Sequence, residues 1–201
     1  MKETSAVGDH RLSDEEGAEA SLRIFFALWP TAESAAEIMA WARAAHAVCG
    51  GRMMRPETLH LTLAFLGSTP ESRVRQLAQA AHRWRVNVGE ITLRRFGRFP
   101  GPRIVWAGPT LDDADRLEWL DVLHERLWRH LEDLGWLRSS MIFRPHVSLL
   151  RKADACDLDG LQRPPLSWTP AACVLVASRP TVAGSRYEVL ASVPMVGGRR
   201  E

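Results

Sequence analysis

Apolar residues along this chain fall into two alternating rhythms. A compact run at 22–28, Leu-Arg-Ile-Phe-Phe-Ala-Leu, is closed by Trp29-Pro30 and reads as a well-buried strand. In 31–49, Ala35, Ile38, Met39, Ala42, Ala45 and Cys49 recur at steps of three and four, the period of a helix. Gly50-Gly51 then supplies a left-handed stop. Short strands are expected at 52–55 and 58–66, a helix at 70–86 with Val74, Leu77, Ala78 and Ala81 on one side, and strands at 91–96 and 103–107. The strongest helical signal is at 111–134, where Leu117, Leu120, Leu123, Leu127, Leu131 and Leu134 form one stripe ended by Gly135. A strand at 142–150, a loop at 152–168 around Pro164-Pro165, and closing strands at 173–178 and 187–193 complete the pattern. Helices interleaved with strands predict an α+β or α/β sandwich.

Residues 1–21 break that pattern, with almost no bulky apolar side chain to repay the entropy of ordering. They are expected to be a disordered acidic tail, with one domain over 22–201. The tail holds Lys2 and Arg11 against six acidic residues, so the overall charge of +2 becomes +6 from residue 22 onward. A basic folded part suits a phosphate-bearing ligand, although 24 of the 26 basic residues are arginine, which genome composition could also produce. The 46% hydrophobic and 25% charged content over 201 residues excludes wholesale disorder and a disulfide-stapled miniprotein. No apolar run approaches the roughly 18 residues a membrane helix needs, and the N-terminus lacks an apolar signal core, so a cytoplasmic protein with no membrane partner is expected. Cys49, Cys156 and Cys173 are odd in number and lack CxxC spacing; buried or idle thiols are expected.

Two segments carry candidate chemistry: Thr58-Leu59-His60-Leu61-Thr62-Leu63-Ala64-Phe65-Leu66-Gly67 and Phe143-Arg144-Pro145-His146-Val147-Ser148-Leu149-Leu150-Arg151. Each reads histidine, apolar, hydroxyl, leucine. Residues two apart in a strand share a face, roughly 6.6 Å apart at Cα. His60 with Thr62, and His146 with Ser148, can therefore converge on one small anion while Leu61, Leu63, Val147 and Leu149 point into the core. One such motif alone usually marks a half-exposed polar face. Two copies 86 residues apart, each in a strand after a helix, suggest an internal duplication that sets two equivalent strands side by side. Zinc competes as a reading of paired histidines, yet neither motif carries the further ligand it needs. His46, His82, His124 and His130 fall on predicted helices and His10 in the tail; surface or internally satisfied roles are expected for them.

At these motifs the chain resembles the 2H phosphoesterases, and more narrowly the RNA 2',3'-cyclic phosphodiesterases, also called 2'-5' RNA ligases. The likeness runs in order through the opening Arg-Ile-Phe-Phe-Ala-Leu strand, Pro-Glu-Thr-Leu-His-Leu-Thr-Leu-Ala-Phe-Leu-Gly at 56–67, Phe-Pro-Gly-Pro-Arg-Ile-Val-Trp-Ala-Gly at 99–108, the second histidine motif at 143–151, and Gly-Ser-Arg-Tyr at 184–187. It departs at Met53-Met54, where the family often has an aromatic, at Ser192, where tryptophan is common, and in the acidic tail. The resemblance implies a bilobal, pseudo-symmetric α+β fold: two antiparallel-rich sheets with outer helices around a central cleft. It further implies His60 and His146 as metal-independent catalytic acid and base, Thr62 and Ser148 as phosphate donors, and Phe65 and Arg151 as a nucleobase platform. RNA ends or nucleotides bearing a 2',3'-cyclic phosphate are the implied substrates, a 2'-phosphomonoester the implied product, and a monomer without cofactor the expected working unit. RNA end-joining by the reverse transesterification, another cyclic-phosphate diesterase, and a non-catalytic RNA-end binding module remain as alternatives at this stage.

Overall fold

The computed structural model describes residues 19–110, 116–181 and 184–196. The expected tail from 1 to 18 and the start of the third expected helix, 111–115, lie outside the described residues. The elements run β1 (Ser21–Trp29), α1 (Ala32–Cys49), β2 (Arg52–Met53), a 3-10 turn (Pro56–Thr58), β3 (Leu61–Pro70), α2 (Glu71–Ala81), β4 (Val86–Asn87), β5 (Ile91–Leu93), β6 (Arg95–Phe99) and β7 (Ile104–Gly108). They continue with α3 (Glu118–Asp133), β8 (Val147–Arg151), β9 (Leu166–Trp168), β10 (Ala172–Thr181), β11 (Gly184–Val193) and β12 (Met195–Val196).

The main sheet has eight antiparallel strands in the order β11-β10-β1-β3-β8-β7-β6, with β2 also on β8. It divides into two four-stranded halves, β11-β10-β1-β3 and β8-β7-β6 with β2, joined at β3 and β8 by the single pair Leu61↔Val147. The α+β, two-lobed expectation is met in this form. One face of the sheet buries Ile24, Phe26, Leu28, Leu61, Val147 and Leu149 against Ile38 and Trp41 of α1, Leu77 of α2 and Leu120 and Leu127 of α3. The opposite face is left as a cleft with only a small apolar floor of Phe25, Ala27, Val174 and Val176.

Local chemistry explains most boundaries. Thr31 begins α1 by accepting the Ser34 N–H on its hydroxyl at 3.1 Å, and Gly50 at φ +57° ends it. Each histidine sits one residue before its strand: Pro56 opens the 3-10 turn ahead of β3, and Pro145 lacks the donor that pairing would require. The helix expected at 70–86 stops at Ala81, because Val86 turns instead to pair in parallel with Met195. The loop expected at 152–168 contains β9, which pairs Trp168 with Ile91.

Two expectations are corrected. Order reaches further toward the N-terminus than residue 22: the Ala20 carbonyl accepts the Glu71 N–H at 3.0 Å, and the Glu19 carboxylate accepts from Ser72 N–H and, at 2.9 Å, from its hydroxyl. An acidic side chain from outside the helix thus satisfies free donors at the start of α2. The thiols are not all idle: Cys49 and Cys156 form a disulfide, 107 residues apart in sequence and 5.2 Å apart at Cα. The end of α1 and the segment after β8 are held together there by the Asp154 N–H donating to the Cys49 carbonyl at 2.9 Å. That proximity is tertiary and leaves no spacing signature. Cys173 remains a free, buried thiol, its pKa pushed up to about 12 by burial.

Candidate active site

The pair Leu61↔Val147 sets the geometry of the site. Carried one residue in each direction, its antiparallel register places His60 across from Ser148 and Thr62 across from His146. All four side chains then share the cleft face, related by a local two-fold through the Leu61–Val147 pair. The two histidines stand on a diagonal of the sheet, about 7–8 Å apart along the backbone and somewhat less at Cβ by strand geometry, with a hydroxyl beside each. All four residues are half-buried, open enough for a ligand and shielded enough to strengthen its electrostatic contacts.

Both rings are fixed in the same way. His60 Nδ1 lies 2.7 Å from the Thr58 carbonyl and His146 Nδ1 2.7 Å from the Arg144 carbonyl, each oxygen two residues back along the chain. A carbonyl only accepts, so Nδ1 carries the proton and donates it, leaving Nε2 as the atom that exchanges protons in each neutral ring. Their surroundings differ. His60 stacks on Trp29 with centroids 5.4 Å apart, lies 5.0 Å from Phe25, and is met edge-on by Tyr187 at 5.4 Å. This aromatic burial pushes its pKa down to about 4; the hydrogen bond to Thr58 opposes the shift, and the positive charges of His146 and Arg151 add to it. His146 has Phe99 at 4.9 Å and Trp106 at 5.9 Å, and burial lowers its pKa against the opposing bond to Arg144. Gly97 lets the Trp106 indole lie flat across β6, since a Cβ there would overlap the ring.

Simple alternation would send Phe65 and Arg151 to the core side, yet both reach the cleft face. In β3, Ala27 pairs with Thr62 and Phe26 with Ala64, so Leu63 is an extra residue. In β8, Trp106 pairs with Ser148 and Val105 with Leu150, so Leu149 is an extra residue. Each bulge falls three residues after its histidine and buries two consecutive side chains, Leu63-Ala64 and Leu149-Leu150. The next residue returns to the face of the histidines.

The strands are antiparallel, however, so Phe65 and Arg151 lie in opposite directions from the two-fold, roughly 20 Å apart by strand rise. They do not form two sides of one platform. Phe65 is 51% exposed with the Arg23 guanidinium over its ring at 4.7 Å. Arg151 stands at the other end, directly opposite Arg52 and close enough to His60 for its charge to be felt there.

Comparison with known proteins decides the family. Residues 28–106 match the family model described as LigT like Phosphoesterase. The chain is 30% identical over 147 residues to the RNA 2',3'-cyclic phosphodiesterase of Escherichia coli (strain K12), covering 73% of this chain and 80% of that one. This chain belongs to the LigT-like phosphoesterase family. Solved structures agree: E. coli LigT in apo form superposes with a TM-score of 0.71 at 29% identity, covering 89% of this chain and 100% of that one. E. coli LigT complexed with 3'-AMP superposes at 0.72 with 28% identity, covering 88% and 99%.

Several parts of this LigT-like site carried no role in the sequence reading: the Phe25, Trp29 and Tyr187 rings around His60, Trp106 and Phe99 beside His146, and Arg52 and Arg23 at the two ends. Trp106 and Tyr187 lay within segments that resembled the family, but a single strand aromatic has no mark distinguishing it from core. Three of the four other histidines expected on helices have structural partners, while His82 is exposed just past the end of α2. His124 accepts from Trp128 Nε1 at 3.1 Å, His130 stacks on Trp84 at 4.8 Å, and His46 Nε2 donates to the Gly51 carbonyl at 3.2 Å.

Proposed function

We propose that this chain hydrolyses 2',3'-cyclic phosphate ends of RNA or nucleotides to 2'-phosphomonoesters by two-histidine acid–base catalysis. The observation that carries the reading is the matched pair of rings, each tied through Nδ1 to a backbone carbonyl and each facing the other strand's hydroxyl residue. A cyclic phosphate between them is flanked by one Nε2 on each side, while Thr62 and Ser148 donate to its non-bridging oxygens.

The unequal surroundings favour a division of roles. His60, walled by three rings, stays neutral and serves as base. An anionic phosphodiester favours the charged form of the less enclosed His146, which serves as acid. Water loses a proton to His60 Nε2 as its oxygen bonds to phosphorus. The phosphorus–O3' bond breaks, and O3' takes the proton from His146 Nε2. Exchange with solvent then resets both rings. Both histidines come from one chain, so a monomer suffices, and cytoplasmic RNA ends are the expected setting. The residues named require no metal.

The test is incubation with adenosine 2',3'-cyclic phosphate in excess chelator, followed by identification of the product. A 2'-monoester is expected, with a loss of roughly 10² to 10⁴ in rate on replacing either His60 or His146 by alanine. A 3'-monoester, activity that needs an added metal, or a fully active single variant refutes the mechanism.

A further inference from the structure

On the helix side of the sheet, α3 and the segment leading into β8 border an open cavity of about 680 Å³, a volume within the range of small-ligand sites. His124 of α3 lines it and is only 9% exposed. Both of its ring nitrogens face donors. Nε2 lies 3.1 Å from Trp128 Nε1, and Nδ1 lies 3.3 Å from Nη2 of Arg138. Burial holds the ring neutral, its pKa pushed down to about 4, and a neutral imidazole offers one acceptor and one N–H. Whichever nitrogen is bare therefore satisfies one neighbour and turns an N–H onto the other. The Trp128 indole is buried, whereas the Arg138 side chain is one-third exposed and free to shift. The bare nitrogen is accordingly Nε2, and the Nδ1 proton is left facing a guanidinium. A buried N–H without an acceptor is costly.

The carboxylates at the cavity do not remove this conflict. Glu125 is adjacent to His124 in the helix and so does not share its face; it already holds Arg138 at 2.7 Å and Arg129 at 3.6 Å. Asp121 is held by Arg116 at 2.6 Å. With Arg126, four guanidinium groups line the cavity against these two carboxylates, an excess of positive charge among the described residues. The remaining wall is apolar: the Phe143 ring lies flat on His124, centroids 3.9 Å apart and planes 11° apart, with Met141 and Ile142 exposed beside it.

We infer that His124 and Arg138 form a binding site for a small organic anion, a carboxylate or phosphate monoester on a flat apolar body. One oxygen of its head accepts from both His124 Nδ1 and Arg138 Nη2, turning a donor–donor contact into two charge-assisted hydrogen bonds. The body lies along Met141 and Ile142. This site shares no residue with the one between His60 and His146, so it stands apart from the phosphodiesterase reading.

NMR of the His124 ring and the Trp128 indole N–H tests this, with benzoate, phenyl phosphate and the uncharged benzyl alcohol as probes. In the free protein the His124 proton is expected on Nδ1; a ring protonated on Nε2 overturns the site before any probe is added. Benzoate or phenyl phosphate should shift both signals saturably, the tighter binder naming the head group, while benzyl alcohol should not. Arg138→Met, which keeps an apolar stem, should weaken binding by about tenfold or more with the Trp128 signal still dispersed. Signals unmoved by both anions overturn the site. An equal response to benzyl alcohol, or unchanged affinity in folded Arg138→Met, overturns the role given to the anionic head and its arginine.

Discussion

Replacing Tyr187 with alanine separates what the aromatic enclosure does to His60 from what the fold does for the cleft as a whole. In the intact protein the His60 pKa falls from 6.5 to about 4, mainly through burial. At about 1.36 kcal/mol per unit, that difference corresponds to roughly 3 kcal/mol between the two protonation states. Three rings share the enclosure. Tyr187 comes from the edge strand β11 and packs on the small cleft-side cluster around Phe25 and Trp29 rather than on the main core, so its removal admits water beside His60. Losing one ring of three is expected to return about a third of the shift, raising the His60 pKa by about one unit.

Imidazole resonances followed by NMR across the acid range report this directly. The same shift contributes to the pH dependence of stability, beside the lowered pKa values of His124 and His146. Between pH 6.5 and about 4 the unfolded chain binds a proton at His60 that the folded chain refuses, so stability is lost as pH falls through that window. Tyr187→Ala should narrow the window from below and weaken the loss. A His60 that titrates near 6.5 in the wild type, or a midpoint unmoved in the variant, refutes the role given to the rings.

Further outcomes follow from other contacts. Gly97→Ala forces the Trp106 indole off β6 and should cost about 1–3 kcal/mol in denaturant unfolding while lowering turnover through His146, whereas a silent variant would mean the ring does not support that histidine. Reducing the Cys49–Cys156 disulfide, which closes a span of 107 residues, should cost about 2–4 kcal/mol and show as a lower Tm in dithiothreitol. Thr62→Ser should leave kcat near wild type and Thr62→Ala should lower it by less than either histidine variant; a dead, folded Thr62→Ser would assign the role to the methyl group's packing instead.

The sequence alone determined the elements and the chemistry that could be read locally. A two-residue period marks the core-facing Leu61 and Val147, a helical period marks α1 and α3, and the repeated histidine–hydroxyl spacing marks His60, Thr62, His146 and Ser148. These features survive because each depends on neighbours within a few residues. Tertiary structure alone decided the rest. The single Leu61↔Val147 pair turned two motifs into one site and sent Phe65 and Arg151 to opposite ends. Bulges at Leu63 and Leu149 broke the alternation, and a bulge is set by the partner strand's register rather than by the bulged residue. The unequal enclosure of two similar histidines came from Trp29, Tyr187, Phe99 and Trp106, all brought in by other strands. Such contacts join residues far apart in the chain, and a local pattern has no means of encoding which distant ring will arrive.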